Sequence, residues 1–348
     1  MSLLGKHILS CSIFDIELLQ QLFSVADQLQ PVSRGKKVCR ILEGAVLGNL
    51  FFEASTRTRL SFDSAFMRLG GSVSNTTGEA VTSISKGESL ADTSRVISGY
   101  YDILVVRHPD EQAVYEIAGA THIPVLNGGN GAGEHPTQAL LDLYTVSREF
   151  KRLGKEISSS RIALVGDLRY GRTVHSLLRL LSLFQNLTIY CVSPSILPMP
   201  RELLDMAANG GHKIVETGDP KVGLKDIDLL YATRVQKERF ACTETAFNYG
   251  SDFRVDQALV NAHCKPDVIV MHPLPRDSRA GANDLSDDLN QDERLAIFRQ
   301  TDAGIPIRMA LFASVLGVDH LIPSALRDAT WYRPKYIGPN DASFYTEK

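Results

Sequence analysis

The chain has 348 residues, 44% of them hydrophobic and 22% charged, with a formal net charge of −3. That length suits two domains, each with its own core. The slightly acidic balance excludes a global basic field for nucleic acid, so any anion site has to be built locally.

Residues 13–29, "IFDIELLQQLFSVADQL", put Ile16, Leu19, Phe23 and Ala26 on one helical face. Val46–Phe52 reads as a buried strand. Thr56–Leu69 reads as a helix with Phe62, Ala65, Phe66 and Leu69 inward, stopped by Gly70 and Gly71. Short strands follow at Ile103–Val106 and Pro124–Leu126, then a helix after Pro136. The polar stretch "KRLGKEISSSR" near residue 150 suits a domain junction. The alternation restarts with strand Ile162–Val165, helix "VHSLLRLLSLF", strand Leu187–Val192, helix "RELLDMAA" and strands Ile227–Ala232 and Val268–Met271. Strands separated by helices imply parallel sheets covered on both faces. The expected fold class is α/β, with two doubly wound domains at 1–150 and 151–300, each a parallel sheet flanked by helices. Residues 318–348 read as an irregular tail that holds the only tryptophan, Trp331. The five cysteines, Cys11, Cys39, Cys191, Cys242 and Cys264, are scattered and never form C-x-x-C. That suits a reducing cytoplasm and argues against a disulfide framework or a zinc site. No signal peptide or membrane span is expected.

Polar residues collect where strands should end, which is where ligands bind in open α/β sheets. "EASTRTRLSF" places Ser55, Thr56, Arg57, Thr58 and Arg59 after a strand and at a helix start. A helix N-terminus offers backbone N–H groups and a positive dipole end to a phosphate, and Arg57 adds a fork for its oxygens. A helix cap would explain one hydroxyl; it does not explain Arg-Thr-Arg. Arg107 ends the run "DILVV", and a lone strand-end arginine is usually just a surface residue. "NGGNGAGEHPTQ" is a glycine-rich loop leading to His135 and Gln138 at a helix start, and it lacks the G-x-G-x-x-G of dinucleotide binding. An imidazole there tends to stay neutral and can donate one hydrogen bond to a carbonyl, though it can equally cap the helix. Further on, "GDLRYGRT" places Arg172 and Thr173 at a strand-to-helix turn, and "ATRVQKER" places Arg234 and Gln236 after a strand. "MHPLPR" makes a turn in which Pro273 and Pro275 lack N–H donors, so its carbonyls, Leu274 included, are fixed acceptors. "SISKGES" carries Ser83 and Lys86 on a small-residue loop. No sequence signature for a nucleoside triphosphate or a metal is present, and no nucleophile stands beside a base. The inventory fits a site that binds small polyanions and stabilises charge without a covalent intermediate.

Seven strings in order, "FFEASTRTRLSF", "SISKGESLADT", "VVRHP", "GEHPTQALLDLYT", "GDLRYGRTVHS", "TRVQKER" and "HPLPR", closely resemble the aspartate/ornithine carbamoyltransferase family, from about Gly5 to Val318. Within it the match is to the catalytic chains that act on aspartate. The ornithine branch typically carries H-C-L-P and an S-M-G loop, where this chain has His272-Pro273-Leu274-Pro275 and no S-M-G. The resemblance implies transfer of the carbamoyl group of carbamoyl phosphate to L-aspartate, giving N-carbamoyl-L-aspartate and phosphate in pyrimidine biosynthesis, without metal or cofactor. It implies that Ser55, Thr56, Arg57 and Thr58 hold carbamoyl phosphate. Thr58, Arg107 and His135 would stabilise the oxyanion, and Gln138 with the Pro273–Pro275 turn would bind the carbamoyl amine. Lys86, Arg172, Thr173, Arg234 and Gln236 would serve aspartate. It further implies a helix at about 304–317 that returns to the first domain, helices joining the two domains, and a homotrimer in which Ser83 and Lys86 come from the neighbouring subunit. Regulatory chains or a higher assembly are left open. Two departures stand out: the x-x-E-I that many relatives carry after "HPLPR" is replaced here by "DSRAGANDLSDDLNQDER", and the tail exceeds that of short members.

Overall fold

The computed structural model describes residues 2–78, 87–234, 253–277 and 284–331. The chain divides into two compact units: one takes the residues up to Leu140 and resumes at Ala303, and the other runs Leu141–Asp302.

In the first unit the leading segment forms α1 (Ile16–Ser33), capped by Asp15, whose carboxylate accepts the Leu18 N–H at 2.7 Å. After the short strand β1 (Lys37–Val38) come β2 (Val46–Phe51), α2 (Thr56–Arg68), β3 (Ser72–Thr77), α3 (Leu90–Ile97), β4 (Ile103–His108), α4 (Ala113–Ala120), β5 (Val125–Asn130) and the first turn of α5 (Pro136–Arg152), whose remainder belongs to the second unit. The four longer strands make one parallel sheet in the order β3-β2-β4-β5. Strand order therefore reverses between β2 and β4, and a doubly wound sheet opens its ligand crevice at such a point. Leu50, Leu104, Val106, Val114, Ile117 and Val125 form a core under α4.

The second unit alternates β6 (Arg161–Gly166), α6 (Arg172–Leu181), β7 (Thr188–Val192), α7 (Arg201–Asn209), β8 (Lys213–Thr217), α8 (Pro220–Gly223), β9 (Leu229–Thr233), α9 (Gln257–His263), β10 (Ile269–Met271) and α10 (Ile297–Asp302). Its five parallel strands run β10-β9-β6-β7-β8, so the reversal lies between β6 and β9. The two central strands approach closely there. At Gly166, with φ +113°, a Cβ would stand 2.1 Å from the Thr233 carbonyl oxygen, so no larger residue fits. Both sheets are parallel and flanked by helices, as the α/β reading expects.

The chain re-enters the first unit at α11 (Gly304–Val315), which packs against α1 and α2. Phe312 lies edge-on to Phe62 and Phe66, with centroids 5.9 and 4.9 Å apart, and the Arg308 guanidinium sits 4.7 Å above the Phe62 ring. Buried residues occur all round α11, which marks a helix enclosed by protein rather than facing solvent. The segment after Val318, which reads as irregular, is not so throughout. Among the described residues it carries a 3-10 turn (Asp319–Leu321), α12 (Ile322–Ala325) and β11 (Arg327–Asp328), which pairs antiparallel with β1. Elements this short leave no periodicity to read. Trp331 lines a groove of about 530 Å³ with Val38, Arg40, Met67, Arg68 and Arg327. Among the described residues no single helix is long and apolar enough to cross a membrane.

Candidate active site

In the first sheet, Ser55 occupies the N-cap of α2 in extended conformation, and its carbonyl accepts the Arg59 N–H at 3.2 Å. Its hydroxyl makes no capping bond, so capping does not account for it. The first turn of the helix presents the N–H groups that lack intrahelical partners. The two arginines of this turn have different surroundings. Arg59 reaches Asp63 one turn on, at 3.8 Å. Asp63 is buried and also accepts from Asn49 of β2 at 2.6 Å and Asn75 of β3 at 3.2 Å, so it ties α2 to the sheet. Arg57 is exposed; desolvation lowers its pKa, but arginine stays protonated.

Arg107 lies on the neighbouring strand end, opposite Phe51 in the β2–β4 register. It is buried, its Nη2 2.7 Å from Glu53 and its Nη1 donating to the Gly128 carbonyl at 3.2 Å. These contacts fix the plane of a guanidinium that carries five N–H donors. The glycine-rich loop beyond β5 is built by two buried asparagines. Asn127 donates to Leu9 and Asn130 and accepts the Gly129 N–H, while Asn130 donates to Glu111 and accepts the Glu134 N–H. Gly131 has φ +50°, and a Cβ there would stand 2.3 Å from the Pro109 oxygen. The loop delivers His135, buried, at the start of α5, where its carbonyl accepts from Gln138 and Ala139. Gln138 is half-buried one turn on. Ser55–Thr58, Arg107, His135 and Gln138 thus lie at or just past the carboxyl ends of three adjoining strands.

The second sheet repeats the pattern. After β6, the carboxylate of buried Asp167 accepts the N–H groups of Arg169 and Tyr170 at 3.2 and 2.9 Å, shaping the turn into α6. Arg172 opens that helix, half-buried, and Thr173 follows, its hydroxyl bonded to Tyr231. Tyr231 also donates to Asp142 at 2.7 Å, and burial together with that negative charge pushes its phenol well above the ordinary tyrosine range. Arg234 follows β9 directly, half-buried. Pro273, Leu274 and Pro275 follow β10, with Leu274 at φ +56°, a left-handed conformation uncommon for a residue with a side chain. Arg172, Arg234 and the proline turn therefore sit past the ends of three adjacent strands, the two arginines on either side of the reversal. Ser83, Lys86 and Gln236 lie outside the described residues. Among the described residues no cluster of three or more His, Cys, Asp or Glu is placed to hold a metal ion.

Sequence reasoning passed over Glu53, Asp63, Asp142 and Asp284, all acids that fix functional segments. Only Glu53, two residues before Ser55, carried a signal in its position.

Cationic and hydroxyl side chains at the reversal point of each of the two parallel sheets are the arrangement of a two-unit α/β protein suited to small anions. Residues 6–148 match the model for the aspartate/ornithine carbamoyltransferase carbamoyl-P binding domain, and residues 158–315 that for the Asp/Orn binding domain. The chain belongs to the aspartate/ornithine carbamoyltransferase family. It is 51% identical over 348 residues, the whole of both chains, to the aspartate carbamoyltransferase catalytic subunit of Dichelobacter nodosus. It is 42% identical to that of Archaeoglobus fulgidus over 312 residues, 89% of this chain and 99% of the other. Among solved structures it resembles aspartate transcarbamoylase from Trypanosoma cruzi in complex with carbamoyl phosphate and aspartate, with TM-score 0.81 and 41% identity over 90% of this chain and 98% of that one.

Proposed function

We propose that this chain transfers the carbamoyl group of carbamoyl phosphate to the amino group of L-aspartate. The observation that carries the choice of acceptor is the arginine pair, Arg172 and Arg234, on either side of the reversal in the second sheet. Two guanidiniums suit two carboxylates and oppose the side-chain ammonium of ornithine. The relatives named for aspartate support the same choice.

Ser55, Thr56, Arg57 and Thr58 hold the phosphate of carbamoyl phosphate at the α2 N-terminus. Thr58, Arg107 and His135 donate to the carbonyl oxygen, where negative charge develops as the tetrahedral intermediate forms. Gln138 and the carbonyls of Pro273 and Leu274 accept from the carbamoyl NH2, in a turn made rigid by Pro273 and Pro275. Arg172 and Arg234, with Lys86, bind the two carboxylates of aspartate; Thr173 and Gln236 help to position them. The neutral amine of aspartate attacks the carbonyl carbon, a C–N bond forms, the C–O bond to phosphate breaks, and phosphate leaves with the electron pair and takes up the proton shed by the new C–N nitrogen. The same reading makes the enzyme a cytoplasmic homotrimer whose subunits share Ser83 and Lys86. Parallel colorimetric assays with aspartate and ornithine test it: carbamoyl-aspartate is expected, and product from ornithine alone would overturn the choice.

A further inference from the structure

The stretch that follows the proline turn contains Asp284, a buried acid beside a buried histidine. His272, 1% exposed, follows β10. Its Nδ1 accepts the Leu274 N–H at 2.9 Å, which leaves a neutral ring's proton on Nε2, and Nε2 lies 2.8 Å from Asp284 Oδ1. Asp284, itself buried, accepts the Leu285 N–H on one oxygen and the Asp277 N–H on the other, both at 2.7 Å. On the other side, the His272 N–H donates to Gln300 Oε1 at 3.0 Å, and Gln300 Nε2 donates to buried Asp142 at 2.7 Å. Leu274 stands at φ +56°, and such a conformation persists where its surroundings over-determine it. Here the restraint is an imidazole that holds the Leu274 N–H on Nδ1 and faces the Asp284 carboxylate with Nε2.

We infer that Asp284 is a positioning residue: through His272 it fixes the Pro273 and Leu274 carbonyls and so sets the enzyme's preference for an acyl phosphate bearing NH2 over one bearing CH3. This rests on the reading that those carbonyls accept from the carbamoyl amine. A site built to receive N–H donors leaves its acceptors unpaired when a methyl group arrives, so it discriminates strongly while its geometry holds. A tilted turn loses that discrimination without touching the phosphate contacts of Ser55–Thr58.

The test compares inorganic phosphate, acetyl phosphate and carbamoyl phosphate as ligands of the wild type and of Asp284→Asn, which keeps the side-chain shape but loses the charge that faces the His272 ring and gathers two backbone N–H donors. The wild type is expected to favour carbamoyl over acetyl phosphate by about tenfold or more. Asp284→Asn should bring that ratio close to one, lower turnover, and leave phosphate inhibition within twofold. His272→Asn gives a second view: its shorter side chain can still accept the Leu274 N–H, as in an Asx turn, but falls short of Asp284. It should keep more selectivity than His272→Ala, and this pair decides the matter if Asp284→Asn does not fold. A wild-type ratio retained in Asp284→Asn, equal weakening of all three ligands, or no difference between the two His272 variants would overturn the inference. A wild type that binds acetyl and carbamoyl phosphate equally would instead overturn the role given to the Pro273 and Leu274 carbonyls.

Discussion

Arg57 and Arg59 are the same residue type two positions apart, and replacing each by alanine should do opposite things. Arg57 is exposed at the first turn of α2, so its loss should change stability by no more than about 0.5 kcal/mol. Its effect should fall on chemistry. Charge builds on the phosphate as the C–O bond breaks, and a fixed guanidinium is worth more then than in the ground state. By comparison with the loss of one oxyanion donor, turnover should drop about a hundredfold or more, which is about 2.7 kcal/mol of transition-state stabilisation. Arg59 stands 3.8 Å from Asp63, which keeps its bonds to Asn49 and Asn75. Removing that pair should destabilise by about 1 kcal/mol, which lowers the melting temperature by about 2–4 °C, with turnover held within a few fold. The assay is steady-state turnover of both variants beside melting curves with and without phosphate. At a hundred times its Kd, phosphate should stabilise the wild type by about 2.7 kcal/mol, and Arg57→Ala much less. Full turnover in Arg57→Ala, or turnover lost only because that variant unfolds, would refute the phosphate cradle.

Arg234→Ala should raise the aspartate concentration for half-saturation, with a loss on the order of 1.5–3 kcal/mol for a charge-assisted contact; unchanged aspartate kinetics would mean the carboxylate site is misplaced. Inactive Lys86→Ala and Arg57→Ala chains, mixed to form hybrid trimers, should regain activity because some shared sites then carry neither lesion; hybrids as inactive as their parents would argue against sharing. Asp228 is a stability test. Burial by itself raises its carboxyl, but the Lys265 ammonium at 2.7 Å, the Arg161 N–H at 3.0 Å and Lys155 at 3.3 Å outweigh that and leave it below the usual carboxylate range. A depressed pKa adds stability that is fully present above the unfolded value of about 3.9 and is lost as pH falls through the folded one. The gap in unfolding free energy between wild type and Asp228→Asn should therefore stay constant from neutral pH down to about pH 4 and close below it; a gap that widens on acidification would contradict this sign.

The sequence exposes what is buried and continuous. β4, β6 and β9 are apolar runs flanked by polar turns, as strands covered on both faces must be, and they read to within two residues. β3 and β8 lie at sheet edges with exposed and half-buried residues, "SVSNTT" and "KIVET", and neither gives a pattern. The candidate site was legible because strand-end arginines and a proline turn are local features. Its supports were not. That Asp63 would claim Arg59 and not Arg57 depends on the asparagines of two neighbouring strands, and the partnership of Asp284 with His272 spans a segment with no motif of its own.

The first unit is assembled from both ends of the chain, and this sets an order on its making. A ribosome that has translated only as far as Asp302 has produced every strand of the second sheet but not α11, the helix that meets Phe62 and Phe66. The nested unit can therefore fold while the unit that encloses it in sequence still has an apolar face of α1 and α2 uncovered, and that face stays open until the last fifty or so residues arrive. A late-made helix closes the earliest-made core, so loss of α11 would leave the α1 and α2 face exposed to aggregation and proteolysis, however complete the middle is.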